Sequence, residues 1–342
     1  MIEIEESKSK VNLRDIKSLY NTKVIMSFLK EAQKLNLIIY NKQIQNMLNI
    51  NIRDYKKISG KYKIIESNGE GIEYILDTDK ILFKGSYLNG KRNGVGKEYN
   101  IHSGKLDYFG EYIKGKRQGK GKEYYNNGHL KFEGEYLNGK RHGNGREYNK
   151  FEKLIYEGEF INGKRSGIGK EYGKHEILIY EGEFINNKRD GKGKEYNKNE
   201  DLIYEGEYKN GNRNGKGKEF DENEDIIYEG EYLNGKRNGN GKEYNYLGDY
   251  IYEGEYLNGE KNGKGKEYKI DGFLIYEGEY LNGKRDGKGK EYYLNNVIKF
   301  DGEYSRGKRW NGKIYSGNGN IEFEIVNGKK FCNDIVDIND IF

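Results

Sequence analysis

Leu154-Ile155-Tyr156-Glu157-Gly158-Glu159-Phe160-Ile161-Asn162-Gly163-Lys164-Arg165-Ser166-Gly167-Ile168-Gly169-Lys170-Glu171-Tyr172 decides the fold. Its first part alternates with period two. Tyr156, Gly158 and Phe160 fall on one side of an extended chain, and Ile155, Glu157 and Glu159 on the other. Asn162 to Gly167 is dense in residues that accept positive φ and turn a chain. A second extended run, Gly167 to Tyr172, follows. Two such runs around an Asn/Gly-rich link predict a β-hairpin with a loop of about four to six residues.

Outward from this copy, the glycine of its Gly-Glu-aromatic triplet recurs. It stands at Gly110, Gly134, Gly158, Gly182, Gly206, Gly230, Gly254, Gly278 and Gly302, always twenty-four residues on, and a slightly altered copy holds Gly85. A fixed period of this length marks a linear array of one supersecondary unit. Two strands and two turns fill the period, so no three-turn helix fits inside it. The expected fold is mainly β: an elongated repeat array of antiparallel hairpins in a single twisted sheet, with a small N-terminal α-helical segment. Eleven or so hairpins at ~10 Å each predict a ribbon on the order of 100 Å long.

The repeated glycine lies between two aromatic residues on one face. A missing side chain there leaves a slot for a neighbouring ring. Ladders of such rings account for 33 Tyr in a chain that is only 34% hydrophobic, against about 45–50% ordinarily. The spacing of Tyr156, Gly158, Phe160, Gly163, Lys164, Gly167 and Gly169 closely resembles the MORN repeat motif. That resemblance covers roughly residues 58–315, and the hairpin sheet it implies agrees with the reading of the residues.

The flanks depart from the pattern. Gly69, Gly71, Glu73 and Tyr74 form a partial first copy. At the far end Trp310 is gained, Ile314 is read in place of the second glycine of the Gly-x-Gly pair, and Phe323 in place of the marker glycine. Bulk in the slot suits a cap. Residues 1–12 are expected to fray. Residues 13–57 show helical spacing, as at Val24, Ile25, Phe28 and Leu29 and again at Leu35, Ile38 and Ile39. This segment caps the array or, since Ile25 to Leu29 followed by Lys34 to Ile44 resembles an F-box, recruits a ubiquitin ligase. Residues 58–315 are the repeats, and 316–342 a capping strand and tail.

The net charge of +5 resides in residues 1–57, which leaves the array neutral. A neutral array suits neither DNA nor RNA, whose binding rests on phosphate neutralisation. The single cysteine, Cys332, fits a reducing compartment. No signal, lipidation or membrane-spanning pattern is legible. The expectation is a cytoplasmic chain, with a peripheral position on a membrane as a variant. His102, His129, His142 and His175 lie in different copies; no metal or cofactor site is expected, and no catalytic residue. Gly215 to Glu219 lacks the Gly-Lys-Ser/Thr of a phosphate-binding loop.

Two features suggest binding. The Lys-Arg pairs Lys140-Arg141, Lys164-Arg165, Lys188-Arg189 and Lys236-Arg237, placed in hairpin loops, form a candidate basic edge for weak contact with anionic lipid. The aromatic ladder, if it forms a single layer, stays partly exposed and docks a protein partner or a second copy of the chain. The function expected is a non-enzymatic scaffold, with an F-box-like ubiquitin-ligase adaptor or an anionic-membrane tether as alternatives.

Overall fold

The computed structural model describes residues 23, 26–27, 42–47, 60–75, 78 and 80–332. It comprises two units, residues 1–140 and 141–342. In the first, a short helix, Lys42–Met47, precedes strands Lys61–Ile65, Glu70–Ile75, Ile81–Leu88, Lys91–Tyr99, Leu106–Ile113, Lys116–Tyr124 and Leu130–Leu137. Each strand pairs antiparallel with the next. In the second, the same up-and-down order runs to the final strand, Lys329–Cys332. The expected hairpin sheet is therefore present. The readings placed on 1–12, 13–57 and the tail beyond Cys332 lie outside the described residues, apart from the helical positions 23, 26–27 and 42–47.

One expectation of the local structure is corrected. Asn162 (φ 54°) and Gly163 (φ 86°) alone make the hairpin turn, and strand Lys164–Tyr172 starts directly after it. Positive φ at both central residues gives the turn whose twist matches the flanking strands, so no longer loop is needed. The Lys-Arg pair accordingly opens a strand. Ser166-Gly167 becomes a β-bulge, seen as a register shift between Arg165 and Gly169. Gly167 (φ 72°) has no room for a Cβ, because the Glu159 carboxylate occupies that point at 2.5 Å. The carboxylate accepts the bulge N–H groups in successive copies, as Glu183 does from Lys192 (3.0 Å) and Glu279 from Lys288 (2.9 Å).

The bulge also joins neighbouring repeats. The Arg165 carbonyl accepts the N–H of Asn187 in the next turn (2.9 Å), and Arg189 and Arg213 repeat this with Gly211 (2.8 Å) and Gly235 (2.9 Å).

Past the bulge, Gly169 faces Gly158 on one neighbour and Gly182 on the other. The Tyr156 ring lies across this glycine track, with Cε2 2.7 Å from where a Gly169 Cβ would stand. Edge-to-face contacts then run Tyr156–Phe184 (5.2 Å), Phe184–Tyr180 (5.3 Å) and Tyr180–Tyr208 (5.1 Å). Each such pair is worth about 0.5–1.5 kcal/mol beyond its buried area. This zigzag is the core.

At the end of the second unit, strand Lys308–Tyr315 has eight residues where its counterparts have nine, so the register differs from expectation. Gly312 faces Gly302 and is the ladder glycine; Ile325, not Phe323, stands opposite it. Phe323 pairs with Ile314, which takes the place held by glutamate in other copies, as in Tyr276 facing Glu291.

Candidate interaction surface

The aromatic face is closed, against the expectation that a single layer would leave it open. Tyr156, Tyr180, Tyr204 and Tyr228 are 0% exposed. The cover comes from the sheet's own arginines and glutamates. Neighbours in a strand point to opposite faces, so Arg165 turns towards the rings while Lys164 turns away. Its guanidinium lies 4.4 Å from the Tyr156 ring centre, and those of Arg189, Arg213 and Arg237 lie 4.3, 4.3 and 4.0 Å over Tyr180, Tyr204 and Tyr228.

Each arginine bridges two glutamates. Arg165 reaches Glu147 (2.7 Å) and Glu171 (3.0 Å); Arg189 reaches Glu171 (2.8 Å) and Glu195 (3.5 Å). Arg213 and Arg237 carry the chain through Glu219 to Glu243. The planar fork of arginine permits this double engagement. The tyrosine hydroxyls join in, with Tyr232 donating to Glu219 (2.9 Å) and Tyr280 to Glu267 (2.6 Å). Burial pushes the Glu219 carboxyl up, but hydrogen bonds from Arg237 and Tyr232 and the nearby guanidinium charges hold it below the usual glutamate value. Glu267 is lowered in the same way by Arg285 and Tyr280. Two residues alter the chain. Lys261 bridges only to Glu243 (2.9 Å), and Ile314, lacking a carboxylate, ends it after Arg309.

The first unit carries the same layer. Glu73 of the partial first copy receives Arg92 (2.8 Å), which also pairs with Glu98, and Glu98 in turn pairs with Arg117.

The candidate basic edge is thus divided. Arg141, Arg165, Arg189 and Arg237 are half-buried in ion pairs. Lys140, Lys164, Lys188 and Lys236 are exposed on the opposite face, beside the turns. Adjacency in sequence suggested one patch; strand geometry makes it two.

That opposite face is open. Where the glycine track runs there are no side chains, and in the second unit a groove of about 940 Å³ follows it, floored by Gly182, Gly193, Gly206 and Gly217 among others. A ladder of exposed pairs forms one wall: Lys170–Glu181 (3.5 Å), Lys218–Glu229 (3.2 Å) and Lys242–Glu253 (3.6 Å). Exposed pairs of this kind contribute about 0–1 kcal/mol each. Nearer the turns stands an aliphatic column, Ile161, Ile185, Leu233, Leu257 and Leu281, each 49–54% exposed. Lys209 interrupts it and Ser305 ends it. In the first unit Leu88, Ile113 and Leu137 stand at the same place.

In the first unit Gly110 and Gly134 both face Gly121, and in the second Gly158 faces Gly169 and Gly302 faces Gly312. The aliphatic column was not anticipated. Its signal was present: an Ile or Leu directly after the second aromatic and before the turn must face away from the rings. His102 and His175 sit exposed in connecting turns. Among the described residues, no helix is long and apolar enough to cross a membrane.

A family model, MORN repeat, matches nine segments: residues 83–100, 108–130, 132–149, 156–174, 180–201, 204–225, 228–245, 252–272 and 276–296. No curated protein matches the chain. Among solved structures, the crystal structure of TarM is similar at 16% identity with a TM-score of 0.17, over 52% of this chain and 32% of that one. The chain spans about a third of that structure's length, and so slight a likeness carries no argument.

Proposed function

The chain belongs to the MORN repeat family, and from that premise we propose that it is a non-enzymatic scaffold whose open face, not its aromatic face, binds a protein partner or a second copy of itself. MORN repeats are in general protein- and membrane-interaction repeats, and the family is not an enzyme family. One observation carries the reading. The rings lie under an arginine–glutamate layer, while Leu233, Leu257 and Leu281 stand half exposed in a row beside the groove. Aliphatic side chains aligned in this way, rimmed by charge, mark interaction surfaces. Binding energy would concentrate on a few of them.

The test is a triple variant, Leu233→Asp, Leu257→Asp and Leu281→Asp. These side chains contribute little to the core, so the fold survives, as circular dichroism would verify. Cross-linking of the full chain in its native cytoplasm should lose its protein adducts, including those to a second copy. Adducts retained at parental yield would sink the proposal.

A membrane tether is the second reading, favoured by Lys164, Lys188, Lys236 and Lys284, which accompany the column on the same face. Each supplies about 1 kcal/mol at an anionic surface. Sedimentation with phosphatidylserine vesicles at physiological salt decides it. The F-box-like adaptor rests on residues 13–57, and co-purification of the ligase adaptor tests it. A cytoplasmic location is part of the proposal, as is the division at residues 12, 57 and 315.

A further inference from the structure

We propose that Asn89 is a site of spontaneous self-modification, converting to aspartate and isoaspartate through a succinimide ahead of its counterparts in later turns. Asn-Gly forms the turn of many hairpins. Asn89-Gly90 and Asn138-Gly139 lie in the first unit; Asn162-Gly163, Asn234-Gly235, Asn258-Gly259 and Asn327-Gly328 are among those in the second. All share one backbone geometry, as in Asn89 (φ 50°) with Gly90 (φ 70°) and Asn162 (φ 54°) with Gly163 (φ 86°). Chemically they are the same site repeated.

One difference falls on the glycine nitrogen itself. The glycine N–H donates to a carbonyl of the preceding hairpin in Gly139 (to Arg117, 2.8 Å), Gly163 (to Arg141, 2.8 Å), Gly235 (to Arg213, 2.9 Å), Gly259 (to Arg237, 2.9 Å) and Gly328 (to Trp310, 2.8 Å). Before the Asn89 turn stands only the partial first copy, and its Gly69 carbonyl takes the Tyr87 N–H instead (2.7 Å). Among the described residues, the Gly90 N–H and the Asn89 carboxamide have no hydrogen-bond partner, and both residues are exposed.

The free N–H matters because its nitrogen is the nucleophile. After loss of its proton to solvent base, the Gly90 nitrogen attacks the Asn89 Cγ. An N–Cγ bond forms, the Cγ–Nδ2 bond breaks, and ammonia leaves with a proton from water. Water then opens the ring. Cleavage of the N–Cγ bond gives aspartate; cleavage at the main-chain carbonyl gives isoaspartate. Water enters and ammonia departs, and nothing is oxidised or reduced. A bonded N–H resists this twice, by holding its proton and by keeping the turn from opening into the ring-closing geometry. Lys63 adds a second influence. Its ammonium donates to the Gly90 carbonyl and stands 3.8 Å from where a Gly90 Cβ would be, so its charge favours the deprotonated nitrogen.

The experiment ages the full chain in mildly alkaline buffer and follows each Asn-Gly peptide by mass spectrometry. Isoaspartate is identified by methyl transfer from S-adenosylmethionine with an isoaspartyl methyltransferase. Asn89 should convert roughly fivefold faster than Asn162 or Asn234, the effect of one hydrogen bond of ordinary net strength. Equal rates would overturn the proposal. Asn327 is the control for terminal fraying, since it lies near the end of its unit yet keeps its bond; if it converts as fast as Asn89, the missing bond is not the cause and the proposal fails. Asn89→Lys copies the natural Lys114-Gly115 turn (φ 51° and 85°), so the chain stays folded and the fast phase should vanish. A fast phase surviving in that variant would also refute the assignment.

Discussion

Gly217→Ala adds one methyl group and should unfold much of its surroundings. The added carbon would stand 2.5 Å from Cζ and 2.6 Å from Cε2 of Tyr204, against an ordinary contact of about 3.5–4.0 Å. The ring must therefore retreat by about 1 Å, and it has nowhere to go. Tyr204 is 0% exposed, held edge-to-face by Tyr208 (5.4 Å) and Tyr232 (5.2 Å) and topped by Arg213 at 4.3 Å. Overpacking alone costs about 1–3 kcal/mol. Loosening two ring pairs and one cation–π contact brings the total to about 2–4 kcal/mol. The comparison is Gly317→Ala, where nothing lies within 4 Å and φ is not positive; that variant should be neutral or gain about 0.4–1 kcal/mol from a less flexible unfolded chain. Urea titrations followed by far-UV and tyrosine near-UV circular dichroism read both. Coincident midpoints for the two variants would refute the slot account of the glycine track.

Gly206→Val should be at least as damaging, because its added carbon meets backbone at Gly217 Cα and the Lys216 carbonyl, both at 2.6 Å; thermal melting against Asn238→Ala, which loses only a 3.4 Å bond to the Asn258 N–H, checks this. Lys261→Arg should raise the melting temperature, corresponding to about 0.5–1 kcal/mol, since a fork reaches both Glu243 and Glu267. Acid should destabilise the fold. Glu219, Glu267 and Glu291 have folded pKa values below their unfolded ones, so their contribution is present above the ordinary glutamate range and lost as pH falls through the lowered values. Tyrosines act at the other extreme. Burial raises Tyr87 to about 12, so its contribution is intact below the ordinary value of 10 and lost as pH climbs towards 12. A pH series of urea midpoints, flat across both windows, would contradict the two assignments. Finally, Ser at Lys140, Lys164, Lys188 and Lys236 together should leave stability unchanged, whereas Ser at Arg141, Arg165, Arg189 and Arg237 should lower it by several kcal/mol, because glutamates then lose their partners.

The hairpin sheet was legible because the period, the Asn-Gly turn and the alternation around Gly158 all point one way. The glycine slot was legible too, from its place between Tyr156 and Phe160. What escaped was anything that depends on a single residue of register. Asn162 to Gly167 reads as one loop by composition, yet it divides into a tight turn and a bulge, and that division sends Lys164 and Arg165 to opposite faces. The cover over the rings is invisible for a related reason: Arg165 meets Glu147 of one repeat and Glu171 of another, a contact that only the paired sheet creates. At the end of the array, the one-residue shortening of Lys308–Tyr315 brings Ile325, twenty-three residues after Gly302, opposite the ladder glycine Gly312, where the sequence reading puts Phe323.

In the internal copies of the second unit other than the one that holds Lys261, an arginine takes one glutamate from its own repeat and one from the repeat before, and its carbonyl receives the following turn. Each boundary between such copies is thus the same joint, made from halves that every copy carries. A gene coding for this segment can gain or lose a period by unequal recombination, and the altered chain meets no unfamiliar junction. Selection can then adjust the length of the proposed binding face in whole steps, while a single-residue insertion is absorbed in a connecting turn, as between Gly85 and Gly110, where the link from Asn100 to Lys105 is one residue longer and the register resumes beyond it.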